Sequence, residues 1–108
     1  MQIRLAVTPF TRMRGMLGLS DKAEQPQALL IAPCHHIHTF GMRFAIDVAY
    51  LAANGRVLRV SRGLVPGKLP RGCPSAVAVL ERRASEDDWL QPGQRIELAV
   101  SREERILK

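Results

Sequence analysis

Apolar and polar positions alternate along several short stretches of this chain. A period of two is the mark of half-buried β-strands. In residues 2–7, Ile3, Leu5 and Val7 fall on one side and Arg4 on the other. Residues 28–32 are a short apolar run closed by Pro33, the form of a buried strand. Residues 43–52 give the clearest pattern. Phe44, Ile46, Val48 and Tyr50 share one side, and Ala45, Asp47, Ala49 and Leu51 share the other. Both sides are largely apolar, so this strand is predicted to be central and covered on both faces. Residues 56–64 alternate again behind Asn54-Gly55. Asn-Gly between two such runs predicts a hairpin, because both residues tolerate positive φ. Residues 76–82 and 95–100 bring the total to about six strands.

Two short helices are predicted between them. Thr8 caps the first and Pro9 sits in its first turn. Phe10, Met13 and Leu17 then recur at spacings of three and four, and Gly18 ends it. The second spans residues 85–90, with Ser85 as cap and Glu86, Asp87 and Asp88 at its positive end. Residues 20–27 and 64–74 read as loops; the latter hold three prolines and two glycines. No helix is long enough to carry a crossover between parallel neighbours, which excludes a doubly wound sheet. The expected fold is mostly β (α+β): a small barrel-like or curled, mostly antiparallel sheet of about six strands with two short helices.

The chain has 108 residues, which fits a single domain over 1–108. Its core is expected over residues 3–100, with a charged tail at 101–108. The net charge of +6 is uneven. Residues 1–72 hold ten Lys/Arg against three Asp/Glu, and residues 73–108 hold six against seven. A basic face of that kind suits an anionic ligand or an acidic protein. The charges are scattered singly, so a solvated surface serves equally well as explanation. Two cysteines are too few for a disulfide framework. The N-terminal apolar stretch is too short for a signal peptide, and no window approaches a membrane span. A cytoplasmic location is the expectation, and no cofactor is implied.

The chemistry concentrates in residues 31–48, which contain all three histidines. Cys34, His35, His36 and His38 put four metal- or proton-handling groups into five residues. In an extended chain Cys34, His36 and His38 point to one side, with Cys34 and His38 about 13 Å apart. Any two neighbours can share a metal; all three require a kink, which Pro33 permits. A closed zinc site needs four ligands, and Cys73 is the only other soft donor. The plain alternative is a set of polar groups rimming a strand end. A Cys34–Cys73 disulfide would need Cα atoms within about 7 Å and an oxidising compartment.

Asp47 is the second anomaly, between Ile46 and Val48 in a strand predicted to be central. A carboxylate there must be paired or strongly hydrogen-bonded. Arg12 or Arg14 of the first helix, Arg43, or backbone N–H groups of a turn are the partners considered. A functional reading makes Asp47 the orienter of His38, with a bulge at Gly41 bringing them to one side. The chain has no glycine-rich phosphate loop, no GxSxG and no HExxH. Five aromatic residues offer little stacking surface. Arg56, Arg59, Arg62, Lys68 and Arg71 read better as a solvated sheet face than as a nucleic-acid track.

Taken in order, Arg12-Met-Arg-Gly15-Met-Leu-Gly18, Ile37-His38-Thr39-Phe40-Gly41-Met42-Arg43-Phe44-Ala45-Ile46-Asp47-Val48, Asn54-Gly55-Arg56-Val57, the run 76–81 and Pro92-Gly93 resemble the domain of unknown function 192 family. The resemblance covers residues 3–100 and is most specific over residues 38–48. It implies a small strand-rich bacterial or archaeal domain with no assigned activity, exported in some members. The family's characteristic positions match Arg12, Gly15, His38, Thr39, Met42, Ile46, Asp47 and Glu81. The chain departs from the family at Met16-Leu17 and at Arg82-Arg83-Ala84-Ser85.

Four functions compete. The first is a non-catalytic binding or interaction domain, with Arg12, Arg14, His38, Thr39, Met42 and Asp47 around a buried polar network. The second is a hydrolase- or transferase-type enzyme, with His38 as base, Asp47 behind it, and Arg14 or Arg43 on an anionic substrate. The third is metal binding through Cys34, His36 or His38, with Cys73. Nucleic-acid binding through the basic two-thirds comes last.

Overall fold

Strand β3 (Ile46–Leu51) runs through the interior because neither of its faces suits water. All six of its residues are buried. A computed structural model describes residues 3–6 and 28–97. Antiparallel partners flank β3: β4 (Val57–Leu64) on one side and β5 (Ala78–Arg83) on the other. β5 continues antiparallel to β2 (Ala28–Ile31), and β2 pairs in parallel with β1 (Ile3–Ala6). The order across the sheet is β1-β2-β5-β3-β4.

Alternation along β3 splits the core in two. Phe44, Ile46, Val48 and Tyr50 pack with Leu29, Ile31, Ile37, Met42 and Val79 on one face. Ala49 and Leu51 pack with Leu30, Val57, Leu80 and Trp89 on the other. A strand with two apolar faces must sit inside a sheet covered on both sides.

Several expectations need correction. The described residues are all β: five strands in one mixed sheet and no helix, not an α+β fold of six strands with two helices. Among the described residues the sheet has a linear order with β1 and β4 at its ends. The second helix fails for a definite reason. The carbonyls of Ser85, Asp87 and Asp88, needed for helical bonds, accept from the guanidinium groups of Arg62 and Arg82 instead. A cap and a favourable dipole over six residues are too weak against several charge-assisted bonds. Of the last predicted strand, the described residues give an isolated bridge between Arg95 and Arg56 and a bond from Ile96 N–H to Gly55 O; residues 98–100 lie outside the described residues. So do the first helix, the proposed tail and the links between β1 and β2.

The β3–β4 hairpin also differs in detail. Gly55 N–H donates to Ala52 O at 2.9 Å, and Ala52 N–H donates to Arg56 O at 2.9 Å. Three residues therefore close the loop. Only Gly55 takes positive φ, at 86°. The Asn54 side chain accepts from Arg56 N–H at 3.0 Å, which holds the turn without a left-handed Asn. A Cβ at Gly55 would collide with the carbonyl oxygen of Ile96.

Candidate functional site

Three groups of polar side chains stand out on this scaffold. The first surrounds Asp47, whose side chain points to the Ala49–Leu51 face and is 1% exposed. Its cross-strand neighbour on β5 is Arg82, and Arg82 Nε–H donates to Asp47 Oδ2 at 2.9 Å. On the other side, β4 inserts an extra residue between the pairs Ile46–Leu64 and Val48–Ser61. That bulge releases Gly63 N–H from the ladder, and it donates to Asp47 Oδ1 at 2.9 Å. Ser85 N–H adds a third bond at 3.3 Å, and Arg62 Nε stands 3.9 Å away.

The two arginines extend the network outward. Arg82 donates to Asp87 O at 2.7 Å and Asp88 O at 3.0 Å. Arg62 donates to Ser85 O at 2.7 Å and Asp87 O at 2.8 Å. Arg82 also lies over the Trp89 ring, 4.5 Å from its centroid, and the indole N–H donates to Val48 O at 3.2 Å. This group holds residues 85–89 against the sheet. Arg43, one partner considered for Asp47, is exposed. Arg12 and Arg14 lie outside the described residues. Arg82 escaped the sequence reading because its position opposite Asp47 depends on strand order.

Glu81 is the second feature. It is 3% exposed and faces the opposite side of the sheet, between Leu29 and Val48. It has no hydrogen-bond or ion-pair partner among the described residues. Burial alone pushes its pKa up to about 7, since an apolar setting disfavours the charged form. Its sequence signal was available: a carboxylate at an inward position of an apolar run, the same anomaly as Asp47.

The third group is built on Thr39, which is fully buried. Its hydroxyl donates to Val65 O at 2.8 Å and accepts from Lys68 N–H at 2.7 Å. Its own N–H donates to Lys68 O at 2.8 Å. Its carbonyl accepts from Gly67 N–H at 2.9 Å and Met42 N–H at 3.2 Å. The last bond closes a tight turn with Gly41 at φ 78°, a conformation suited to glycine. One residue thus fastens the 65–68 loop to the 39–42 turn.

The loops so fastened present apolar side chains to water. Phe40 is 51% exposed, Val65 49% and Leu69 69%. Met42 is buried beneath in the core. His38 is exposed; its Nδ1 accepts from Phe40 N–H at 3.2 Å and its ring stacks on Phe40. No hydrogen bond joins His38 or Thr39 directly to Asp47 among the described residues.

The cysteines and remaining histidines lie elsewhere. Cys34, His35 and His36 line a cleft of about 480 Å³ with Pro33, Ala76 and Val77. No three metal-ligating side chains converge among the described residues. Cys34 Sγ–H donates to His36 O at 3.0 Å. The basic ladder is partly engaged: Arg59 lies over the Tyr50 ring and donates to Arg71 O. No helix among the described residues is long and apolar enough to cross a membrane.

Comparison with known proteins adds a family and a fold. The family model for domain of unknown function 192, described as Uncharacterized ACR, matches residues 1–98. No curated protein matches the chain. A crystal structure of a protein of unknown function from Novosphingobium aromaticivorans DSM 12444 superposes with a TM-score of 0.73 at 16% identity. That match covers 89% of this chain and 74% of the other. A putative transcription regulator from Sinorhizobium meliloti 1021 gives 0.65 at 18% identity, covering 76% and 67%. At such identities the likeness concerns the fold alone.

Proposed function

The chain belongs to the domain of unknown function 192 family, and we propose that it serves as a non-catalytic binding domain for an acidic protein segment. The recognition face is the pair of loops joined at Thr39. The observation that carries the reading is the contrast within those loops. Every polar atom of Thr39 is hydrogen-bonded inside, while Phe40, Val65 and Leu69 stand in water outside. Exposed apolar side chains held on fastened loops mark a contact surface, because little ordering entropy remains to be lost on binding.

Charge selects the partner. Residues 28–80 hold six Lys/Arg and a single carboxylate, Asp47, which is buried and paired. Arg43, Lys68 and Arg71 in the two loops and their flanks are exposed. A partner with Asp or Glu beside an aromatic or aliphatic anchor satisfies both features. The enzyme reading lacks comparable support. Its base, His38, is exposed on the Phe40 turn, and its orienter, Asp47, is committed to Arg82, Gly63 and Ser85.

The test compares retention of the protein on immobilised glutamate–tyrosine copolymer, polyglutamate and a short DNA duplex. Selective retention on the copolymer, weakened by salt, is the expected result. Equal or stronger retention on DNA would overturn the reading.

A further inference from the structure

The two cysteines, far apart in sequence, belong to segments that run side by side. Cys73 N–H donates to His35 O at 2.8 Å, and Cys34 N–H donates to Val77 O at 3.0 Å. Ala76 N–H closes back onto Cys73 O at 2.9 Å. Gly72 lies so close to His35 and His36 that a Cβ would stand 3.1 Å from His36 Cβ and 3.3 Å from His35 O. Both cysteines are half-buried, and neither is in a disulfide. Both also pack against the same core cluster, the one containing Tyr50 and Ala76. Their side chains therefore turn to the same side of the two segments.

Tyr50 of that cluster has a perturbed phenol. Burial raises its pKa, Arg59 opposes that rise, and both Cys34 and Cys73 add smaller upward contributions. Cys34 also lines the cleft with Pro33, His35, His36, Ala76 and Val77, and Val77 is exposed at its rim. A small reactant can reach the sulfur from there.

We propose that Cys34 and Cys73 are a redox pair that closes to an intramolecular disulfide by exchange with a small-molecule disulfide entering the cleft. The Cys34 thiolate attacks one sulfur of that disulfide. Its S–S bond breaks, and one small thiol leaves with a proton from water. The Cys73 thiolate then attacks Cys34 Sγ, and the second small thiol leaves in the same way. The protein loses two electrons, and the small disulfide gains them. The geometry requires a Cα separation of about 4.4–6.8 Å. The bond from Cys73 N–H to His35 O sets Cys73 beside the residue next to Cys34.

The experiment incubates the full chain with oxidised glutathione and follows it by intact mass and peptide mapping. Wild type is expected to lose the two thiol hydrogens and yield one linked peptide containing Cys34 and Cys73, with little glutathione adduct. Its melting temperature is expected to rise by several degrees and to return on reduction. In Cys73→Ser, the glutathione adduct on Cys34 is expected to accumulate as the main species. A stable adduct on wild-type Cys34, or disulfide-linked dimers in place of the internal bond, would overturn the proposal. The oxidised mass is read without any binding partner, so it stands or falls separately from the recognition face.

Discussion

Asp47 and Glu81 are buried carboxyl groups on neighbouring strands that point to opposite faces of one sheet. In the β3–β5 register Asp47 stands opposite Arg82, and Val48 stands opposite Glu81. One face supplies a guanidinium and two backbone N–H groups. The other supplies Leu29 and Val48. The same functional group is therefore hydrogen-bonded on one side, and on the other burial drives it towards neutrality.

Asp47→Ala leaves Arg82 without its carboxylate and frees the N–H groups of Gly63 and Ser85. Removing one partner of a buried pair costs about 3–5 kcal/mol. Urea unfolding is expected to show that loss, and hydrogen exchange to show residues 85–89 opening first. Asp47→Leu combined with Arg82→Leu is expected to recover part of it, since no charge is then stranded. A fully stable Asp47→Ala protein would contradict the role of the pair.

Glu81 predicts a pH dependence of defined sign. Its pKa is 4.5 unperturbed and about 7 in the folded protein, so between those values the native state binds more protons than the unfolded one. Stability therefore falls as pH rises from about 4.5 to 7, by roughly 3 kcal/mol in all. Glu81→Leu is expected to remove that slope and to be the more stable protein at pH 8. Parallel stability–pH curves for the two proteins would contradict it.

Thr39→Val deletes the hydroxyl bonds to Val65 O and Lys68 N–H at almost constant volume. The expected cost is about 1–3 kcal/mol, with faster amide exchange at Gly67 and Lys68. Thr39→Ser keeps both bonds and is expected to stay near wild type. Equal exchange in the two variants would show that the hydroxyl does not hold the loop.

Gly55→Ala tests the hairpin. The position combines φ of 86° with contact to Ile96 O, so a side chain there is strained twice. The expected loss exceeds the roughly 1 kcal/mol of an ordinary Gly-to-Ala exchange at positive φ. A thermal melt checks it, and an unchanged melting temperature would count against the turn.

The fold was legible where one strand's own residues decide its surroundings. The two apolar sides of residues 44–51 gave the central position of β3, and the inward Asp47 announced a partner. The partner itself was hidden, because Arg82 reaches it through strand order. Residues 85–90 misled for a related reason. Ser85 and the three acids favour a helix locally, but Arg62 from β4 and Arg82 from β5 capture the carbonyls. Thr39 looked like part of one network with His38 and Asp47. Its real partners, Val65 and Lys68, sit in a proline-rich loop whose path no periodicity announces. Glu81 could have been singled out by the alternation that exposed Asp47.

The recognition face is tested most directly by amide shift mapping of the full chain titrated with glutamate–tyrosine copolymer. Shifts are expected to gather at residues 38–43 and 65–71, to weaken with salt, and to fall at least tenfold in affinity in Phe40→Ser/Leu69→Ser, about 1.4 kcal/mol. Shifts scattered across the sheet, or an unchanged affinity in a folded double variant, would contradict the assignment of these loops as the binding surface.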